Sequence, residues 1–191
     1  MTKLKKYKAV VIGTSAGGLK ALKRILPRLS SNYPLPLLIV QHISPLSDNY
    51  MSQMLNDASK ITVKEADEKE KILPSIAYIA PPDYHMLVEN DKTISLSVEE
   101  KVNYSRPSID VLFETAADAF GDKLIGIILT GANPDGAKGL KKIKDAGGMT
   151  IVQSPDDAES KTMPEAAINI TKPDYIFSID EIITFLTQIN P

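Results

Sequence analysis

The sequence predicts an α/β fold: a three-layer α/β/α sandwich with a mostly parallel sheet and an added antiparallel hairpin. Three observations lead there. Short apolar runs recur at residues 9–13, 37–41, 76–80, 124–129 and 149–153 with almost no polar alternation, as in strands buried on both faces of a parallel sheet. Segments of helical period lie between most of them, so strands alternate with helices and the crossovers are right-handed. One stretch, residues 84–98, alternates weakly and pivots on Asn90-Asp91, the pattern of an antiparallel hairpin.

The helical segments are justified one by one. The first repeats Leu19, Leu22, Ile25, Leu26 and Leu29 at helical spacing. A second opens at Ser108, a residue type that caps helix starts, and presents Ile109, Leu112, Phe113, Ala116, Ala117 and Phe120 on one face. A third carries Leu140 and Ile143 and stops at Gly147-Gly148, a favourable helix end.

Composition narrows the function. The 191 residues, 43% hydrophobic and 24% charged, suit one domain with a single sizeable core. With 22 basic and 24 acidic residues, a net charge of −2, there is no electrostatic case for nucleic acid or for an acidic membrane surface. Cysteine is absent, which excludes disulfides, thiolate zinc sites and a cysteine nucleophile. The basic start of the chain precedes an apolar run shorter than the roughly 7–15 residues of a signal-peptide core, and no run approaches the ~20 residues that span a bilayer. A soluble, cytoplasmic chain of one domain is expected.

The sharpest local signal is Gly13-Thr14-Ser15-Ala16-Gly17-Gly18, directly after the first strand and opening the first helix. Gly13-x-Ser15-x-Gly17 has the form of a nucleophile elbow, which exposes a hydroxyl beside helix amides able to stabilise an oxyanion. A phosphate-cradling turn obeys the same electrostatics. The dinucleotide fingerprint and the Walker pattern are both absent, and the motif alone leaves nucleophile and anion loop open.

A serine nucleophile needs a base. His42 ends the second apolar run and shares the carboxyl edge of the sheet with Ser15, where sites assemble in open α/β sheets. His85, entering the hairpin, is the other histidine. A third member would be a carboxylate orienting the imidazole. Asp135, in Asn133-Pro134-Asp135-Gly136 after a buried strand, is placed for it, and is equally a turn or helix-cap residue.

These residues, with their neighbours, resemble the catalytic domain of the chemotaxis receptor methylesterases, the protein-glutamate methylesterases. The landmarks are Ile12 to Gly18, Val40-Gln41-His42, Tyr78-Ile79-Ala80-Pro81, Ser105 to Phe113, Ile128-Leu129-Thr130-Gly131, Asp135-Gly136-Ala137 and Met163-Pro164-Glu165-Ala166-Ala167, in order from about residue 8 to 182. The resemblance implies a doubly wound sheet with an antiparallel hairpin. It implies Ser15 as nucleophile, His42 as base and Asp135 as the triad aspartate, with no metal and no cofactor. The implied reaction is hydrolysis of γ-glutamyl methyl esters on the cytoplasmic helices of methyl-accepting chemoreceptors, releasing methanol, with deamidation of receptor glutamines as a related activity. Ala16 and Gly17 are candidate oxyanion donors. Arg106 and Met163 fall at positions near the cleft, Arg106 as a group to orient substrate carbonyls or as a locally paired surface residue.

The chain departs from that family where Ala132-Asn133 replaces the usual Met-Gly, where Pro134 stiffens the loop, and where Thr162 replaces a glycine. Many members carry an amino-terminal phosphoacceptor domain. Here the resemblance begins within ten residues of Met1, so residues 1–191 are expected to hold the catalytic domain without a receiver domain: either they are cut from a longer protein, or regulation is absent or supplied in trans. Two other readings compete: an esterase or amidase for another acyl group, and a non-catalytic module binding an anion or partner through residues 13–18, helped by Lys138, Lys141, Lys142 and Lys144.

Overall fold

Strands form where the apolar runs are densest. The computed structural model describes residues 7–42 and 50–189. Lys3, Lys5 and Lys6, the basic start of the chain, lie outside the described residues. β1 (Ala9–Thr14) leads into α1 (Gly18–Ile25), and β2 (Leu37–Gln41) precedes α2 (Tyr50–Ala58). β3 (Thr62–Glu65), β4 (Ile76–Ile79), β5 (His85–Val88) and β6 (Ile94–Ser97) follow. The remainder alternates strictly: α3 (Ile109–Phe120), β7 (Leu124–Ile128), α4 (Ala137–Asp145), β8 (Met149–Gln153), α5 (Thr162–Thr171), β9 (Tyr175–Phe177) and α6 (Ile179–Thr187).

Seven strands pair in parallel in the order β3-β4-β2-β1-β7-β8-β9. The chain starts in the middle at β1, winds outward through β2 to the β3 edge, crosses back to β7 and winds outward again to β9. The doubly wound topology therefore reverses beside β1. The loops leaving the carboxyl ends of β1, β2 and β7 open at that switch point, where open α/β sheets place their ligands.

Every residue of β1, β2 and β7 is buried, because helices cover both faces. On one face Val10, Ile12, Leu37, Ile39 and Ile127 cluster with Leu22, Ile25, Leu55, Ile182 and Leu186 of α1, α2 and α6. On the other, Val11, Leu38, Val40 and Ile128 cluster with Leu112, Phe113, Leu140, Ile143 and Ala167 of α3, α4 and α5. Each of the larger side chains contributes about 1.5–3 kcal/mol of burial, and the two clusters make the three layers. Among the described residues no helix is long and apolar enough to cross a membrane.

The hairpin forms around the predicted turn, but as a separate two-stranded sheet rather than a further strand pair of the main one. Its inward side chains explain this. Met86, Val88 and Ile94 join the cluster around α3, and the Val88 N–H donates to Thr115 Oγ1 at 3.1 Å. The hairpin lies over α3 instead of extending the ladder. Elements the sequence did not announce are mostly peripheral: the edge strands β3 and β9, and α2, α5 and α6. In β9, Tyr175 and Ile176 are exposed, so the continuous apolar run that reveals a central strand is missing.

α3 and α4 meet at close range, and Gly139 is the reason they can. A Cβ there would lie 2.6 Å from Phe113 Cβ and 3.1 Å from the Asp110 backbone, neither of them a flexible tip. Alanine is the better helix former by about 0.8–1.0 kcal/mol, yet overpacking costs about 1–3 kcal/mol. Gly139→Ala is therefore expected to lower the urea midpoint. A midpoint at or above that of the parent protein would show that the helix pair has slack.

Candidate active site

The first loop at the switch point carries Ser15. Gly17, at φ +80°, takes the left-handed turn from β1 into α1 that a side chain would strain. The Ser15 N–H donates to the Thr130 carbonyl at 3.0 Å and the Gly18 N–H to the Ser15 carbonyl at 2.9 Å. The backbone is thus held from both sides while the half-buried side chain stays unengaged: Ser15 Oγ has no hydrogen-bond partner among the described residues. The N–H groups of Ala16 and Gly17 likewise have no acceptor among the described residues, which leaves them free to face an anion at the start of α1.

The second loop carries His42. Its N–H donates to the Thr14 carbonyl at 3.0 Å, which carries the β1–β2 register one residue past the strands. Gln41, absent from the residues singled out above as chemical, ties the two loops together. Its Nε2 donates at 2.9 Å to the carbonyls of both Ser15 and His42. Its place at the end of an apolar run and within the Val40-Gln41-His42 landmark marked the position but not this role.

The third loop carries Asp135, fully buried. His42 Nε2 lies 2.8 Å from its Oδ2. The same carboxylate accepts from Asn103 Nδ2 at 2.8 Å, from Ser108 Oγ at 2.9 Å, and from the N–H groups of Ile109 at 2.6 Å and Asp110 at 3.3 Å. Burial is the largest influence on its pKa and pushes it up. The hydrogen bonds from His42, Asn103 and Ile109, with the electrostatic attraction of His42, together outweigh burial and hold the carboxyl below its ordinary value.

Two sequence expectations are corrected here. Ser108 stands at the N-cap position of α3, but its hydroxyl makes no cap bond; it donates to Asp135 instead. Asp135 does serve a helix start, though not that of its own α4, whose N-cap is Gly136 without a side-chain cap. It serves α3, because its carboxylate occupies the positive end of that helix and accepts the orphan amides there.

Around this centre the other predicted residues take structural places. His85 is buried, with Nε2 3.0 Å from the Glu100 carbonyl and Nδ1 accepting the Ser108 N–H at 3.1 Å, so both ring nitrogens serve the hairpin and the start of α3. Arg106 pairs locally: Nε and Nη2 donate to Asp83 at 3.1 and 2.8 Å, and Nη1 to the carbonyls of Val98 and Glu99. Met163 is buried and its N–H donates to the Gly131 carbonyl at 2.9 Å, supporting the third loop from beneath. Lys141, Lys142 and Lys144 pair with Asp145, Asp118 and Asp174 on the surface. Asp110 is a second buried carboxylate, its pKa raised above the ordinary value by burial and by neighbouring Asp135, against the bonds it receives from Gly139 and Asn103.

One arrangement was not foreseen. Asn133 Nδ2 lies 3.1 Å from His42 Nδ1, and Asn133 Oδ1 accepts the Asp135 N–H at 3.0 Å. Among the described residues no group of three or more acidic or histidine side chains is arranged to hold a metal ion. A surface cavity of about 670 Å³ lies at the opposite edge of the sheet, lined by Lys8, Pro36 and Lys123 ahead of β1, β2 and β7, away from these groups.

Comparison with known proteins gives the family and agrees with the fold. The CheB methylesterase family model matches residues 10–186. The chain belongs to the CheB methylesterase family. Its fold superposes on the crystal structure of the Thermotoga maritima CheB methylesterase catalytic domain with a TM-score of 0.91, at 35% identity, covering 96% of this chain and 98% of that one. A Leptospira interrogans relative, named provisionally as a protein-glutamate methylesterase/protein-glutamine glutaminase, is 52% identical across 96% of this chain and 95% of its own length. The protein-glutamate methylesterase/protein-glutamine glutaminase of Archaeoglobus fulgidus is 41% identical over 93% of this chain, which spans 53% of that longer relative.

The lowered pKa of Asp135 fixes a pH dependence. Its folded value lies below the ordinary 3.8, so its stabilisation is present above that pH and lost as pH falls below it. Asp135→Asn forfeits at least one charge-assisted hydrogen bond, about 1.5–3 kcal/mol at pH 7. Urea unfolding is expected to show that deficit at pH 7 and a narrowing gap to the parent below about pH 4. A gap independent of pH would show that the carboxylate's charge contributes nothing.

Proposed function

We propose that this chain is a serine hydrolase that demethylates glutamyl methyl esters of a chemoreceptor's cytoplasmic helices and deamidates receptor glutamines, with Ser15 as nucleophile, His42 as base and Asp135 as its orienting partner. The observation that supports this most is the 2.8 Å contact of His42 Nε2 with the ionised, fully buried Asp135, on the same sheet edge as Ser15. That contact sets the imidazole tautomer. With Nε2–H directed at the carboxylate, Nδ1 bears the lone pair that can accept a proton.

The steps follow from these groups. Ser15 Oγ adds to the ester carbonyl carbon while its proton passes to His42 Nδ1. The tetrahedral oxyanion is met by the amides of Ala16 and Gly17. Collapse breaks the carbon–methoxy bond, and the imidazolium returns the proton to give methanol and an acyl-serine. Water then adds to the acyl carbon, its proton going to Nδ1. Release of Ser15 Oγ, reprotonated by the imidazolium, leaves a glutamate. With a glutamine the first leaving group is ammonia. Asp135 stabilises the imidazolium at both stages without taking its proton.

Ser15→Ala is expected to cut methanol release from purified methylated receptor by at least about 10³-fold, with an unchanged circular dichroism spectrum. Full activity in that variant would refute the nucleophile. Hydrolysis of small esters with none on methylated receptor would move the reading to another acyl substrate.

A further inference from the structure

The reading of Ser15 and His42 above leaves one contact unexplained, and the inference drawn from it rests on that reading. A neutral imidazole has a single in-plane lone pair, so it accepts one good hydrogen bond. With Nε2–H committed to Asp135, that lone pair is on Nδ1. The hydroxyl of Ser15 must donate to it for proton transfer to begin. In the structure the donor at Nδ1 is instead Asn133 Nδ2, at 3.1 Å.

The orientation of the Asn133 carboxamide is determined by its other end. Oδ1 accepts the Asp135 N–H at 3.0 Å, closing a local turn of the kind asparagine favours. Flipping the amide would set oxygen against the Nδ1 lone pair and NH₂ against a backbone N–H, losing both bonds. His42 does not need this contact for placement, since Asp135 and the strand register already hold it. Ser15 Oγ has no hydrogen-bond partner among the described residues.

We propose that Asn133 is a gate on the base: its carboxamide occupies His42 Nδ1 in the resting chain and must be displaced before Ser15 can give up its proton. The surroundings permit that movement. Asn133 is half-buried between exposed Ala132 and Pro134. The Oδ1 bond to Asp135 tethers the side chain while Nδ2 is released toward the crevice. There the carbonyl of an arriving ester or amide is a ready acceptor, so acyl substrates exchange one hydrogen bond for another, and a ligand without a carbonyl does not.

The test is the rate at which a fluorophosphonate labels Ser15 in the parent protein and in N133G and N133A, alongside ¹⁵N NMR of the His42 ring. The probe reacts through the same serine and base but needs no receptor. Removing the gate is expected to speed labelling about two- to tenfold, the worth of one neutral hydrogen bond, and to move the Nδ1 resonance while the Nε2 resonance stays. A merely structural role for Asn133 would slow labelling, through a misplaced Asp135. Unchanged or slower labelling in both variants overturns the gate, whatever the methanol assay shows. Faster labelling in the variants without methanol release from receptor supports the gate and refutes the methylesterase reading. No labelling in any of the three proteins overturns both.

Discussion

The Asp135 carboxylate binds three stretches of chain together: the loop at Asn103, the start of α3 at Ser108–Asp110, and the loop with His42. A fully buried ionised aspartate is costly unless nearly every lone pair is met. The fold meets that demand with the unpaired amides of a helix N-terminus, which are orphaned for their own geometric reasons. One set of bonds solves two problems. α3 gains its cap, and the charge beside His42 is maintained within a sealed interior.

The sheet explains why these stretches converge. Reversal of strand order beside β1 brings the loops after β1, β2 and β7 to one crevice, although they are separated by more than a hundred residues between Thr14 and Thr130. Their relative heights are set by strand register, Gly13 against Val40 and Ile128, and are then trimmed by Thr130, whose hydroxyl donates to the Ala16 carbonyl at 2.8 Å. A packed sheet of this kind deforms little, so the groups at its edge are held without contribution from their own flexibility. Asn133 is the exception: a side chain on an exposed loop, placed against the base by one local turn.

The gate and the triad have different physical characters as a result. Asp135 and His42 are fixed by burial and by several partners each, and only wholesale rearrangement separates them. Asn133 is fixed by two neutral hydrogen bonds, a few-fold in any rate. A device of that size tunes a reaction without abolishing it.

Much was legible in the sequence. Unbroken apolar runs revealed the central strands, because a strand buried on both faces has no alternative composition. The edges β3 and β9 were not legible, since half-exposed short strands look like loop. Ser15, His42 and Asp135 could be singled out because their residue types, following buried strands, admit few chemistries, and the ordered landmarks named the family. The tethering role of Gln41, Asn103 and the contact of Asn133 with His42 could not, because amide side chains are ordinary in loops and acquire meaning only from what they touch. The split between Ser108 and Asp135 shows the same limit. Local rules assign each helix start its nearest cap, whereas a carboxylate brought in from residue 135 competes better for the amides of α3 than the adjacent hydroxyl does. Sequence alone determined the layers, the sheet and the chemical candidates, through burial pattern and residue type. Tertiary structure alone decided which candidates meet, because hydrogen bonding at the switch point depends on loops that sequence distance does not relate.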